Sequence, residues 1–280
     1  MIELVEVPTV QMVAHTVIDP NGLAAWADAH GMRELLDRDT PLGFLHSDVT
    51  TLPSRSLDAL PEFGGRFCYR SWEKGRERPE YLANILEMGH GSVLHHSTVS
   101  FAISGVSRSL SLELLRHHAG ADPSQESQRY VDAKNVRFVV PPLVLALQAQ
   151  CPGLLDDFER DCHSALDAYQ STQRVLERVL SAPAGQNVKL GTMLKKRCLE
   201  AARAHLPNCA ETRLLWTMNL RAARHVCALR GGETADLEIR RLACAFTRQL
   251  QRLAPHTFQD FEIYTAADGF EATRCQHEKV

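Results

Sequence analysis

The run from Ser97 to Ser104 sets the tightest constraint on the fold, because Val99, Phe101 and Ile103 alternate with Thr98, Ser100 and Ala102. A period of two puts the apolar set on one face of a strand, and that face must be buried by other elements. Helical segments are available to do so. Arg108 to His118 reads as a short helix that Ser107 or Ser109 can cap, with Leu110, Leu114 and Leu115 on its apolar side. A polar loop is expected from Ala119 to Gln125, broken by Gly120 and Pro123, then a second strand over 135–142 that Pro141 and Pro142 stop. Long helical stretches are expected over 153–182 and 187–205, a largely helical segment from 153 to 205. Glu211 to Arg230 places Leu214, Leu215, Met218, Ala222, Val226 and Leu229 at helical spacing ahead of Gly231 and Gly232, and another helix begins near Thr234. Residues 1–65 are a more variable region, cut by Pro8, Pro20, Pro41, Pro53 and Pro61, with LAAWADAHGMRELLDR as a helix. No linker-like composition, repeat or low-complexity tract follows it, so the economical assignment is one α+β domain over 1–280.

A chain of 280 residues with 44% apolar and 23% charged side chains can bury a sizeable core. Its formal net charge of -3 gives no field to hold a nucleic acid or a membrane surface, so phosphate recognition has to be local. The eight cysteines include no CxxC pair and read as reduced thiols. The first residues, MIELVEVPTVQMVAH, lack a positive leader region, and no run approaches the roughly 18 to 20 apolar residues of a membrane span, so a cytoplasmic location is expected. There is no GxGxxG strand-to-helix turn, P-loop lysine or GxSxG elbow, which argues against a Rossmann dehydrogenase, an NTPase or an α/β-hydrolase.

Three clusters carry candidate chemistry. On the expected helix over 211–230, Asn219 and Arg230 are almost three turns apart and fall on nearly the same face, while Arg221 and His225 form an i,i+4 pair, an arrangement able to hold an anion or a flat polar heterocycle or simply to face water. Arg116, His117, His118, Ser124, Gln125, Ser127, Gln128, Arg129 and Tyr130 combine forked guanidinium donors with short polar side chains around Gly120, which suits either a phosphate cradle or an ordinary polar turn. His90, Ser92, His95 and His96 precede the first strand, but their spacing is not that of HExxH, so no metal site is expected.

In order and spacing these clusters resemble the flavin-dependent thymidylate synthases. GHGSVLHHSTVSFAISGVSRSLSLELLRHH is similar to that family's histidine-bearing segment, strand and helix ending in Arg-His-Arg. SQESQRYV, residues 124 to 131, resembles the end of its signature, and LPNCAETRLLWTMNLRAARHVCALRGGETADLEIRRLA resembles its other long motif, the likeness running from about Arg66 to Ala267. The resemblance implies an α+β fold with a central, mostly antiparallel sheet flanked by long helices, and a homotetramer whose active sites are shared between subunits. It implies FAD contacts at His90, Ser92, Arg116, His117, His118, Asn219, Arg221 and His225. It implies nucleotide contacts at Glu113, Gln125, Ser127, Gln128, Arg129, Arg203 and Arg230, with Arg129 and Arg203 near the phosphate and Arg230 against the uracil.

The implied reaction is methylation of uracil C5 in dUMP or UMP, with methylenetetrahydrofolate as carbon donor and NADPH-reduced FAD as hydride source. Arg230 and Ser127 are the implied catalytic pair, Arg230 against charge developing on the uracil and Ser127 as a positioning donor. Cys227 is the one cysteine in the helix over 211–230 and reads as core packing. The third position of Arg-His-Arg is His118, eight residues rather than seven separate it from Ser127, Glu126 stands where an apolar residue is frequent, and His95 where many members have Glu. That longer stretch is expected to relax the pocket near the ribose, as in uridylate C5-methylases of nucleoside-antibiotic pathways. The alternative is a catalytically silent flavin- and nucleotide-binding protein of the same fold.

Overall fold

The computed structural model describes residues 2–36, 57–72, 76–181 and 191–280. Pro41, Pro53 and positions 37–38, 182 and 187–190 of the expected helices lie outside the described residues. In chain order the elements begin with β1 (Leu4–Val5), β2 (Thr9–His15), α1 (Pro20–Ala29), α2 (Arg33–Leu36), α3 (Ala59–Tyr69) and α4 (Arg78–Glu87). A 3-10 turn (Gly91–His96) leads into β3 (Thr98–Ser107), α5 (Arg108–Leu114), β4 (Ala121–Gln125), β5 (Phe138–Val139) and α6 (Pro142–Leu147). Then come α7 (Leu154–Ser181), α8 (Thr192–Ala202), a 3-10 turn (Arg203–His205), β6 (Glu211–Asn219), α9 (Leu220–Gly231), α10 (Leu237–Leu253), β7 (Phe261–Thr265) and β8 (Glu271–Cys275).

The four-stranded sheet has the order β2-β3-β6-β4. Leu220 N donates to Ser97 O and Arg108 N to Ala210 O, which fixes β3 and β6 as antiparallel neighbours; Asn219 N to Gly120 O and Glu126 N to Arg213 O do the same for β6 and β4. β1 pairs with β5 in parallel and β7 with β8 antiparallel. The mixed helix and strand architecture with a mostly antiparallel sheet is the expected one.

Four expectations change. The stretch from Glu211 to Arg230 is a strand and then a helix. Along β6, Thr212, Leu214, Trp216 and Met218 are buried while their neighbours are more exposed, the period of two that a strand needs. The polar loop from Ala119 to Gln125 contains β4, and Pro123 is accommodated because β4 is an edge strand whose outer amides need no partner. The second strand contracts to Phe138–Val139. The helix expected over LAAWADAHGMRELLDR divides into α1 and α2, since Gly31 takes φ +64° between them, a left-handed conformation that glycine adopts without steric cost.

The chain forms two compact units. The first comprises residues 1–9, 103–116 and 124–215. In it Phe138, Cys162 and Ala210 pack with Leu4, Phe158 and Leu206, and Tyr169 of α7 packs with Leu199 and Ala202 of α8. The Tyr169 hydroxyl accepts from Ala133 N and donates to Asp132, so its buried oxygen is satisfied. The second comprises residues 10–102, 117–123 and 216–280. There α10 packs on α9 and β8, and Phe101 meets Phe246 with ring centroids 4.6 Å apart.

Candidate active site

The predicted flavin residues other than Arg116 lie in the second unit, several of them around α9. Asn219 ends β6 and caps α9, its side-chain oxygen accepting from Ala222 N at 2.8 Å. Gly120 lies against this cap with φ +75°, and a Cβ placed there would stand 2.3 Å from Asn219 Nδ2. Gly120→Ala is therefore expected to lower stability by about 1 to 3 kcal/mol, from the lost cap and the left-handed backbone together. The denaturant midpoint checks it, and an unchanged midpoint would show that Asn219 can leave the cap at no cost.

At the start of α9, the Arg221 guanidinium points to His95 Nε2 at 3.5 Å, and the 3-10 turn carrying Ser92 packs along the same helix. His90 leads into that turn, stacked on Tyr69 at 5.7 Å with its Nδ1 3.3 Å from the Tyr69 hydroxyl. At the far end of α9, Arg230 Nε donates to His117 Nε2 at 2.8 Å, and the His117 ring meets His225 edge-on at 5.5 Å. Because an arginine Nε only donates, His117 accepts through Nε2. The expected face shared by Asn219 and Arg230 does not exist as such, since Asn219 is the cap rather than a helical residue. The pairing of Arg221 with His225 on one helix stands. Ser92 and His118 are exposed.

The first unit holds the predicted nucleotide residues other than Arg230. Glu113 is on α5, and Arg116, predicted to contact the flavin, lies just beyond it in this unit. Gln125 ends β4, its Nε2 donating to the hydroxyls of Ser111 and Thr212 at 2.9 and 3.1 Å. In the turn that follows, Ser127 Oγ accepts from Arg129 N and the Ser127 carbonyl from Tyr130 N, and Gln128 lies between them. Arg129 Nε is 3.2 Å from Glu200 of α8, and Arg203 follows Glu200 by one turn. A residue missed in the sequence, Arg108, joins this group: burial and then the Arg203 charge pull its guanidinium below the usual arginine range, so two cations share one neighbourhood.

A cleft of about 170 Å³ nearby is lined by Glu126, Gln128, Arg137, Glu211, Thr212 and Arg213. Glu211 binds Arg137 through both carboxylate oxygens and lies 3.8 Å from Arg213, so the cleft's arginines are already matched by a carboxylate. The cations around Arg203 suit a phosphate better. Among the described residues no group of three His, Cys, Asp or Glu side chains could hold a metal ion, and no helix is long and apolar enough to cross a membrane. Cys227 is fully buried and its thiol is pushed up to about 12 by burial, the state of a packing residue rather than a nucleophile.

Residues 54–256 match the family model described as thymidylate synthase complementing protein. The chain belongs to the flavin-dependent thymidylate synthase family. Relatives of that name include a protein of Mycobacterium sp. strain JLS, 45% identical over 217 residues that cover 76% of this chain and 83% of the relative. Another is from Mycobacterium tuberculosis strain CDC 1551, 44% identical over 219 residues with the same coverage. Among solved structures, a UMP/dUMP methylase, PolB from Streptomyces cacaoi, bound with 5-Br dUMP, shares the fold with a TM-score of 0.60 over 92% of this chain and 96% of the other, at 18% identity. Family members are methyltransferases, and the residues reported above for both units lie inside the matched span.

Proposed function

We propose that this protein methylates C5 of a uracil nucleotide, dUMP or UMP, with methylenetetrahydrofolate as carbon donor and NADPH as the source of reducing electrons. What carries this reading is the convergence of Arg221 and His225 of α9, and of its cap Asn219, with His117 and His95 against the same helix. That set suits FAD chemically. It offers a cation in Arg221 and a flat partner in His90 stacked on Tyr69. Ser92, Arg116 and His118 complete the flavin contacts that the family resemblance implies. Bound there, FAD supplies the hydride that completes the methyl group.

The remaining steps belong to the chain's own side chains. Arg129 and Arg203, with Arg108 added, hold the phosphate. Glu113, Gln125, Ser127 and Gln128 orient the sugar and base. Arg230 stabilises negative charge on the uracil carbonyl as density moves to C5. His117 helps fix the direction of that guanidinium. No cysteine is needed, in keeping with the burial of Cys227. The protein works as a cytoplasmic homotetramer with active sites built from several chains.

The test is side-by-side turnover of dUMP and UMP with methylenetetrahydrofolate and NADPH. Both are expected to give a 5-methyl product, with UMP at most about a hundredfold less efficient, since a pocket that is not sterically closed rejects an added hydroxyl only weakly. No product from UMP alone removes the relaxed ribose pocket. No product from either nucleotide, by a protein that still binds flavin, identifies a silent binder.

A further inference from the structure

Around the predicted phosphate residues of the first unit stands a carboxylate that neither the sequence reading nor the family motifs assign. Lys196, Glu200 and Arg203 are spaced i, i+4 and i+7, one stripe along α8 and the 3-10 turn after it. That stripe faces the turn after β4 at two points. The Lys196 ammonium lies 3.9 Å over the Tyr130 ring, and Glu200 Oε2 is 3.2 Å from Arg129 Nε. Arg108 adds its charge beside Arg203.

We propose that Glu200 is a resident counter-ion of this cradle, holding Arg129 while the nucleotide is absent and surrendering it to the nucleotide phosphate. The proposal rests on the assignment of Arg129 to the phosphate made above. Both partners of the Arg129–Glu200 pair are 46% exposed. An ion pair so open to water is weak, and a phosphate, with more charge and three acceptor oxygens, outcompetes a single carboxylate for the guanidinium. Breaking the pair with Arg129 is the cost that Glu200 imposes on nucleotide binding. Its presence orders Arg129 and lowers nucleotide affinity at the same time.

Glu200→Gln keeps the shape and removes the charge. In the flavin-loaded enzyme, dUMP is expected to bind about two- to fivefold more tightly to this variant, the range set by a half-exposed pair. Against an Arg129→Ala background the same change is expected to have no effect, because the interaction it relieves is gone. Weaker or unchanged dUMP binding by Glu200→Gln overturns the proposal, and so does a gain that persists without Arg129. Arg129→Ala alone separates the two levels. If it leaves dUMP affinity intact, the phosphate role of Arg129 itself fails. If it lowers affinity while Glu200→Gln changes nothing, only the counter-ion role does.

Discussion

Arg230→Ala is expected to weaken dUMP binding by about 2 to 5 kcal/mol, roughly thirtyfold to several thousandfold, while leaving the flavin bound. The magnitude follows from removing the charged partner of a bound ligand group and stranding the group it served. Arg230 sits in the last turn of α9, where a cation also matches the negative end of the helix dipole, and its Nε is held by His117 at 2.8 Å. That hydrogen bond leaves the rest of the planar fork with a defined direction. Lysine carries the charge but has no second donor in a fixed plane, so Arg230→Lys is expected to recover only part of the loss. Flavin absorbance reports the cofactor and equilibrium titration reports the nucleotide. Full dUMP affinity in Arg230→Ala removes the uracil role, and parallel loss of both ligands points instead to a collapsed α9.

The parts of this molecule that could be read from the sequence are those where local pattern and tertiary environment agree. β3 and α7 fall where the periods of two and 3.6 put them, and Ser107 caps α5 as its position suggested. The segment from Glu211 to Asn219 could not be resolved the same way. Leu214, Leu215 and Met218 satisfy helical spacing, and the adjoining helix extends that pattern through Ala222 and Val226. What decides is the partner strand: pairing with β3 buries Thr212 and Trp216 on the face of Leu214 and leaves Leu215 exposed at 43%. A cap signal was present in Asn219, yet an asparagine between two apolar stretches also suits an exposed helical position.

The same limit applies to the site. Motif order identified the α9 residues and the turn after β4, but Arg108 and Glu200 carry no local mark. Arg108 looks like an ordinary polar residue at a helix start, and only its proximity to Arg203, far along the chain, gives it meaning. Glu200 reads as a solvated helix face until Arg129 is placed against it. Contacts between distant segments are what a single sequence does not display.

Arg224→Met is expected to cost about 3 to 5 kcal/mol of stability, the penalty for leaving a buried carboxylate without its cation. Arg224 projects from the α9 residues that face inward, 2% exposed, and donates through Nη1 to Asp260 Oδ1 at 2.7 Å and through Nη2 to Asp260 Oδ2 at 2.9 Å. The same guanidinium donates to the carbonyls of Thr257 and His277, so one side chain ties the helix to two other segments of its unit. Burial works to raise the Asp260 carboxyl, but the hydrogen bonds and charge of Arg224 outweigh it and hold the group below the usual carboxylate value. A carboxyl lowered on folding stabilises the protein at pH values above its unfolded pKa. That contribution is lost as the pH falls below about 4 and through the still lower folded value. The wild-type denaturant midpoint should therefore drop steeply with acid. In Arg224→Met the Asp260 carboxyl loses the cation that lowered it, so the neutral-pH midpoint is lower and the acid slope flatter. Since α9 carries Arg221, His225 and Arg230 and is capped by Asn219, flavin retention should fall with the midpoint, which Arg230→Ala does not produce. A midpoint equal to the wild type at pH 7 would mean that Asp260 finds another partner or water, and the anchoring role of Arg224 would have to be given up.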